Sequence, residues 1–309
     1  MDAIKENATV ILKKGYLLFH GLGHRTLPYN PFIPKIINGR PVKYGFISSE
    51  HRENARLDDD LANGLKKIGV DVRPYRINVQ DYKNYLAQAQ YPGYYYSYGL
   101  FKDREASFAE KTLEHFVSAD LLKFEREDVF IDIAADKSPF YQVVQKIWGT
   151  RTIYRQDLKY KPGIHNNQIG GCAETLPLPG HSVSKATLHC SFEHFEGESD
   201  VGSLREMARV LKPKGKLCIL PLYLGYEYTI HTDPIYNIFF GRRLQFDPDA
   251  QIRYCTWSNR YTRHYSVEQF QERILPFNRD FQITVYRVEN YTEVHSGCYL
   301  RFIGLFEKK

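Results

Sequence analysis

At 309 residues the chain exceeds one minimal domain and suits either one large α/β domain with an added segment or two domains. Its 43% hydrophobic and 25% charged residues argue against general disorder. The net charge of +6 is mild and spread in small groups, such as Arg242 with Arg243 or Lys212, Lys214 and Lys216, which speaks against nucleic acid as the partner.

The five cysteines, Cys172, Cys190, Cys218, Cys255 and Cys298, form no C-x-x-C pair. No metal site is expected from them, and an unpaired set points to a reducing compartment. The N-terminal apolar patches, Val10–Leu12 and Tyr16–Phe19, are too short for a signal sequence or a membrane span. A cytoplasmic protein without membrane attachment is expected, and a homo-oligomer is compatible with the composition. Tyrosine is abundant, with 24 residues in all, eight of which crowd at Tyr91–Tyr98 and Tyr223–Tyr228. Packing under loops accounts for such rings, and a wall for a ring-shaped ligand is the sharper alternative.

Residues 1–41 carry prolines and glycines without a period and read as an extended arm. Val42–Ile47 is a candidate strand. From Glu50 to Ile68, Leu57, Leu61, Leu65 and Ile68 fall at helical spacing, and Gly69 stops the helix. Val70–Ile77 reads as a strand, and Asn78 as the cap of a helix from Val79 to Gln90. A long helix follows from Asp103 to Phe124. Residues 1–102 are treated as an accessory, substrate-shaping segment.

A regular alternation then begins. Val129–Ala134 is a buried strand, Pro139–Trp148 a helix ended by Gly149, and Thr152–Arg155 a strand closing on Asp157. Ala186–Ser191 is the next strand. Ser203 with Glu206 fits a capping box for a helix to Leu211, and Lys216–Leu222 is a strand. Ser266 with Gln269 opens one more helix. Phe281–Val288 and Tyr299–Phe306 are expected to pair as an antiparallel hairpin. Such strand–helix units imply a mostly parallel sheet covered on both faces.

In doubly wound sheets the ligand lies beyond the carboxyl ends of the strands. The first turn here runs Asp132-Ile133-Ala134-Ala135-Asp136-Lys137-Ser138-Pro139, with small residues that let a ligand approach the backbone. Asp132 is placed to take a ligand amino group. Asp157 closes the second strand, where an acid holds both hydroxyls of a ribose.

Three later runs carry a resemblance. Gly170-Gly171-Cys172-Ala173-Glu174-Thr175-Leu176-Pro177-Leu178-Pro179 looks like the "G-D-A-E-x-L-P-x-P" segment of class I S-adenosylmethionine-dependent methyltransferases. Leu188 to Phe195 resembles their fourth-strand end, "v-L-E-H". Arg205 to Leu217 is similar to their "E-x-x-R-V-L-K-P-G-G-x-L" helix–turn–strand, and this is the most specific of the three. The resemblance spans residues 103–309, with 223–265 as an insertion. It implies a doubly wound, seven-stranded, mostly parallel Rossmann-like sheet with the last pair forming the reversed edge, beside the N-terminal accessory α/β segment.

The resemblance further implies S-adenosylmethionine as cofactor. Asp132, Ala134, Ala135, Asp136 and Ser138 would hold its amino acid part, Asp157 its ribose, and Cys172, Ala173 and Glu174 its adenine. Ser191 and its successors would face the methyl group. The family's turn is glycine-rich, and Ala134, Asp136 and Ser138 stand at those positions here. Asp136 brings a negative charge towards the cofactor carboxylate, with Lys137 beside it to compensate. Cys172 replaces the usual acid and removes one acceptor for the adenine amino group.

Methyl transfer from a sulfonium needs alignment and, for an oxygen or nitrogen acceptor, a base. His194 is the first candidate and Glu193 the second, whereas His189 lies earlier in the strand and is expected to pack in the core. The insertion at 223–265, with His231, Arg242, Arg243 and Trp257, is expected to join the N-terminal segment in building the acceptor pocket. The leading reading is a methyltransferase for a small molecule such as a sugar, glycan precursor or natural product, methylated on oxygen or nitrogen. The alternative is a methyltransferase-like module without catalysis that binds a ligand or partner.

Overall fold

The computed structural model describes residues 36–37, 39–44, 56–96, 104–233, 244, 246–254 and 260–309. Nearly all of the arm, half of the Val42–Ile47 strand, the start of the Glu50–Ile68 helix, Asp103, Arg242, Arg243, Cys255 and Trp257 lie outside the described residues.

In chain order the elements are β1 (Ile36–Ile37), β2 (Arg40–Pro41), β3 (Lys43–Tyr44), α1 (Leu57–Lys67), β4 (Asp71–Tyr75), α2 (Val79–Ala89), the single turn α3 (Gly93–Tyr96) and α4 (Arg104–Leu122). Then come β5 (Val129–Ile133), α5 (Phe140–Trp148), β6 (Thr152–His165), β7 (Gln168–Gly170), β8 (Val183–His189), α6 (Ser199–Val210) and β9 (Leu211–Leu220). The last group is β10 (Thr229–Thr232), β11 (Gln251–Tyr254), β12 (Thr262–His264), α7 (Val267–Arg273), β13 (Phe281–Val288) and β14 (Phe302–Lys308).

Local chemistry explains several boundaries. Asn78 caps α2 by accepting from the backbone N–H of Gln80 and Asp81, and Ser266 caps α7 by accepting from that of Gln269. Gly149 ends α5 in the left-handed region at φ 69°. The expected capping box at Ser203 and Glu206 does not form. α6 starts earlier, at Ser199, so Ser203 sits inside it and donates to Asp200 O. Glu206 is instead used across the fold: it accepts from Leu176 N–H at 2.6 Å and pairs with Arg209, whose guanidinium donates to Leu176 O and Leu178 O. Two of the three motif runs are thereby clamped together.

The large sheet has the order β4-β13-β14-β9-β8-β5-β6-β7. β14 runs antiparallel to both neighbours, and the pairs β13/β4, β5/β6, β5/β8 and β8/β9 are parallel. The mostly parallel sheet and the antiparallel pairing of its last two strands are as expected, but that pair does not form the edge and the sheet has eight strands rather than seven. The extra one is β4 of the N-terminal segment, which adds to β13 through the register Thr284↔Asp71 to Val288↔Tyr75. β6 is also longer than expected. It passes Asp157, turns, and lays Pro162–His165 back on β7.

Both faces are covered, as side-chain alternation requires. Ile131, Ile133, Leu217, Ile219 and Phe306 join a core with α1, α6 and α7, including Leu65, Leu204, Met207 and Phe270. Phe130, Cys218, Leu220, Ile303 and Leu305 join the opposite core with α2, α4 and α5, including Tyr82, Leu113, Val117 and Phe140. Asp132 alternates with Ile131 and Ile133, and so faces α4.

The insertion folds as a second, four-stranded sheet of order β12-β10-β11-β3. β3 of the N-terminal segment pairs in parallel with β11, so the two segments meet in one sheet.

Candidate active site at the carboxyl edge of the large sheet

From β5 the chain first winds outward through β6 and β7, then returns to the other side of β5 as β8. The crevice beyond the carboxyl ends of β5 and β8 is therefore the switch point where doubly wound sheets take ligands. Asp132 lies there, 1% exposed. Its Oδ1 accepts from Thr187 Oγ1 at 2.8 Å and lies 3.4 Å from His189 Nδ1. Its Oδ2 has no hydrogen-bond partner among the described residues.

The following turn adopts a glycine-type backbone without glycine. Ala134 has φ 54° and Asp136 φ 31°. It is held by Gln156, whose side-chain oxygen accepts from Ala134 N–H at 3.0 Å and whose carbonyl accepts from Ala135 N–H at 2.9 Å. The Gln156 amide also donates to Gly171 O, tying the turn to the Gly170–Glu174 run. Asp157 accepts from Asp136 N–H at 3.0 Å and from Lys159 N–H at 2.9 Å. The Asp136 carboxylate meets Lys159 Nζ at 2.6 Å, so its ion pair is with a β6 residue and not with Lys137. Tyr160 OH closes the arrangement by donating to Asp136 O at 2.6 Å. Ser138 N–H donates to Ala135 O.

A non-glycine residue in the left-handed region costs about 1–2 kcal/mol, and the extra unfolded-state freedom of glycine costs about 0.5–1 kcal/mol. Ala134→Gly is therefore expected to stabilise the protein by about 0.5–1 kcal/mol, read as a higher urea midpoint at unchanged slope. The same substitution in right-handed backbone would shift the midpoint down.

Further along, Ala173 is buried and Cys172 exposed. Glu174 accepts from Ser199 Oγ at 2.5 Å, at the start of α6. Ser191 is buried, and its hydroxyl has no partner among the described residues.

The structure adds a polar row that the sequence did not single out. Glu110, Glu114 and Ser118 recur at four-residue intervals on α4 and so share one face. Ser118 Oγ meets His189 Nε2 at 3.0 Å, placing His189 in the core as expected. Glu114 Oε1 accepts from Lys111 Nζ at 2.9 Å and from the Cys190 thiol at 3.1 Å. Glu110 accepts from Tyr299 N–H at 2.8 Å. Cys190 stands at the end of β8 with φ 43°, and its sulfur lies 3.6 Å from the Tyr299 hydroxyl and 3.8 Å from that of Tyr223. A polar path thus runs from Asp132 through His189 to Ser118, one helical turn from Glu114. Burial, reinforced by Glu114, pushes the Glu110 carboxyl up to about 8. Burial, with Glu114 again, also pushes the Cys190 thiol well up, so it is no ready nucleophile.

Glu193 and His194 occupy a 3-10 turn after β8. Glu193 is 4% exposed, and burial raises its carboxyl above the ordinary value, opposed by His194 and Lys111. One oxygen lies 3.6 Å from His194 Nε2, and the other has no partner among the described residues. The His194 side chain is half exposed, and its Nδ1 donates to Tyr261 O. That hydrogen bond fixes the tautomer and leaves Nε2 as the basic nitrogen.

The tyrosines divide. Tyr91 and Tyr95 stack on the buried ring of His115, and Tyr91 OH meets His115 Nδ1 at 2.9 Å, which is core packing. Burial, then His189, holds His115 well below its ordinary pKa, hence neutral. Tyr223 lies against the polar cluster, its ring 4.9 Å from His264 and 6.5 Å from Tyr299.

Against known proteins, residues 152–219 match the family model described as a methyltransferase domain. Over those residues the chain is similar to methyltransferase domains. S-adenosylmethionine is the cofactor of such domains. The matched residues contain Asp157, the Gly170–Pro179 run, the end of β8 and the Glu206–Arg209 clamp. No curated protein sequence matches the chain. Among solved structures, the 1,6-didemethyltoxoflavin N1-methyltransferase of Burkholderia thailandensis, crystallised with that compound and S-adenosylhomocysteine, is 14% identical. It covers 75% of this chain and 91% of its own, at a TM-score of 0.46. The PH0226 protein of Pyrococcus horikoshii is 16% identical over 71% of this chain and 100% of its own, at 0.41. An S-adenosylmethionine-dependent methyltransferase of Mesorhizobium loti is 13% identical over 63% and 98%, at 0.42. Among the described residues no helix is long and apolar enough to cross a membrane, and no group of side chains is arranged to hold a metal ion.

Proposed function

We propose that the chain is an active S-adenosylmethionine-dependent methyltransferase whose acceptor is a small molecule held between α4, the end of β8 and the insertion. The observation that carries this reading is the turn after Asp132. It takes glycine-type dihedrals at Ala134 and Asp136, and Lys159 draws the Asp136 carboxylate towards the partly exposed side of the turn. The residues present fit the cofactor. The partnerless Oδ2 of Asp132 suits the ammonium of its amino acid part, beside Ala134, Ala135, Asp136 and Ser138. Each Asp157 oxygen accepts one backbone N–H and keeps a second lone pair for a ribose hydroxyl. Cys172, Ala173 and Glu174 lie one strand further out, at the adenine end. Bound there, S-adenosylmethionine supplies an electrophilic methyl group on a sulfonium.

The chain's own part is to align the acceptor and take its proton. Glu193 is the base in this reading, because its buried, raised carboxyl has an oxygen without a partner. His194 Nε2, beside it and half exposed, passes that proton to solvent. Ser191, one turn earlier, faces the reacting groups.

Calorimetric titration tests the reading. S-adenosylmethionine and S-adenosylhomocysteine are expected to bind, and Asp132→Ala to weaken both by roughly 10- to 100-fold. His189 keeps Ser118, and circular dichroism checks the variant's fold. No binding of either nucleoside to the wild type would favour the non-catalytic module instead.

A further inference from the structure

The polar cluster beyond β8 carries more carboxyl groups than cations. Glu110, Lys111, Glu114 and His115 face it from α4. Cys190, Glu193 and His194 face it from the end of β8, Tyr223 and His264 from the insertion, and Cys298 and Tyr299 from the approach to β14. His115 and His264 are held below their ordinary pKa by burial and are neutral. With its carboxyl pushed up to about 8, Glu110 is the neutral acid at pH 7, and Arg253, the cation nearest His264, is paired with Glu227, so Lys111, itself paired with Glu114, stands against the two carboxylates of Glu114 and Glu193. Glu114 and Glu193 are each more than nine-tenths buried, and each has one oxygen, Oε2 in both, with no partner among the described residues. The rings of Tyr223 and Tyr299, inclined at 31°, flank the same place.

Resting on the methyltransferase reading, we propose that the acceptor is a small molecule bearing a protonated amine, whose ammonium is received by the free oxygens of Glu114 and Glu193 beside the Tyr223 and Tyr299 rings. Buried carboxylate oxygens without donors are costly, and an ammonium brings three donors and the missing positive charge. Tyrosine faces favour a cation, and Lys111 Nζ already lies 5.9 Å from the Tyr299 ring centre. A hydroxyl acceptor brings one donor and leaves the charge excess in place. The ammonium proton passes to the Glu193 carboxylate, which becomes the neutral acid, and the amine nitrogen keeps the lone pair that attacks the methyl group.

The test is a matched panel titrated into the wild type saturated with S-adenosylhomocysteine: tyramine against tyrosol, benzylamine against benzyl alcohol, ethanolamine against ethylene glycol. At least one amine is expected to bind about tenfold tighter than its alcohol. Glu193→Gln and Glu114→Gln are each expected to abolish that preference while leaving the affinity for S-adenosylhomocysteine within twofold. Equal or tighter binding of all the alcohols overturns the proposal, as does an amine preference that survives both substitutions. Lys111 and Cys190 lean on Glu114, so if that variant fails to fold, Glu193→Gln decides. Failure of S-adenosylhomocysteine to bind counts against the methyltransferase reading alone, because the amine-to-alcohol ratio is still measured in the protein without it.

Discussion

Arg263→Met is expected to destabilise the protein by about 3–5 kcal/mol, the cost of breaking a buried ion pair from one side. Arg263 is fully buried. Its guanidinium meets Asp200 at 2.8 Å and Asp247 at 2.8 and 3.0 Å, and it donates to Phe195 O at 2.9 Å and Gly197 O at 2.6 Å. One side chain thus ties the insertion, the turn after β8 and the start of α6. Without it, Asp200 keeps Arg273 at 2.6 Å and the Tyr265 hydroxyl. Among the described residues the Asp247 carboxylate then keeps the Tyr228 and Tyr261 hydroxyls and loses its cation. Adding Asp247→Asn, which removes the charge but retains an acceptor for both tyrosines, is expected to recover at least half of the loss. Arg260→Ala breaks a half-exposed pair with Glu196 and is expected to cost less than about 1 kcal/mol. Urea unfolding at constant slope measures all three. Comparable losses for Arg263→Met and Arg260→Ala would refute the network's role.

That network also explains why the insertion was opaque in the sequence. Every residue of β10 and β12 is buried, so neither shows the alternation that marks a half-buried strand. Thr, His and Arg inside them read as surface until Asp200 and Asp247 are seen to satisfy Arg263. The parallel sheet, by contrast, was legible, because Val129–Ala134 and Lys216–Leu222 are short apolar runs that alternate with helices of clear apolar period. β4 was legible as a strand but not as an edge of the same sheet, since its pairing with β13 spans most of the chain. Asp132 and Asp157 could be found from strand ends alone. Glu110 and Glu114 could not: two glutamates four apart on a helix ordinarily mark a solvated face. Only the approach of Cys190 and Tyr299 turns that face inward. The signal that was available is that Ser118 continues the same row in an otherwise apolar stretch. The Glu206–Arg209 clamp shows a further limit, because residues of the most specific motif run can serve the fold itself. This pair fastens the Leu176–Leu178 backbone to α6.

If Glu193 takes the acceptor's proton, Glu193→Gln lowers the single-turnover rate of methyl transfer by about 10²–10⁴-fold. The glutamine keeps the shape and one acceptor oxygen but cannot take a proton. The affinity for S-adenosylhomocysteine is expected to stay within twofold, which separates this loss from a cofactor defect. The pH profile gives the sign. Burial raises the Glu193 carboxyl above its ordinary value, so the wild-type rate climbs with pH as the carboxylate forms, and it falls away at acid pH more strongly than for an exposed glutamate. The variant loses the limb that belongs to Glu193, and the rise with pH that is left follows the acceptor's own deprotonation. His194→Gln is expected to cost no more than about tenfold, since a half-exposed proton carrier is replaceable by water. The reverse order of the two losses, with the acid limb intact in Glu193→Gln, would move the base to His194 Nε2, the nitrogen that the Tyr261 carbonyl leaves free.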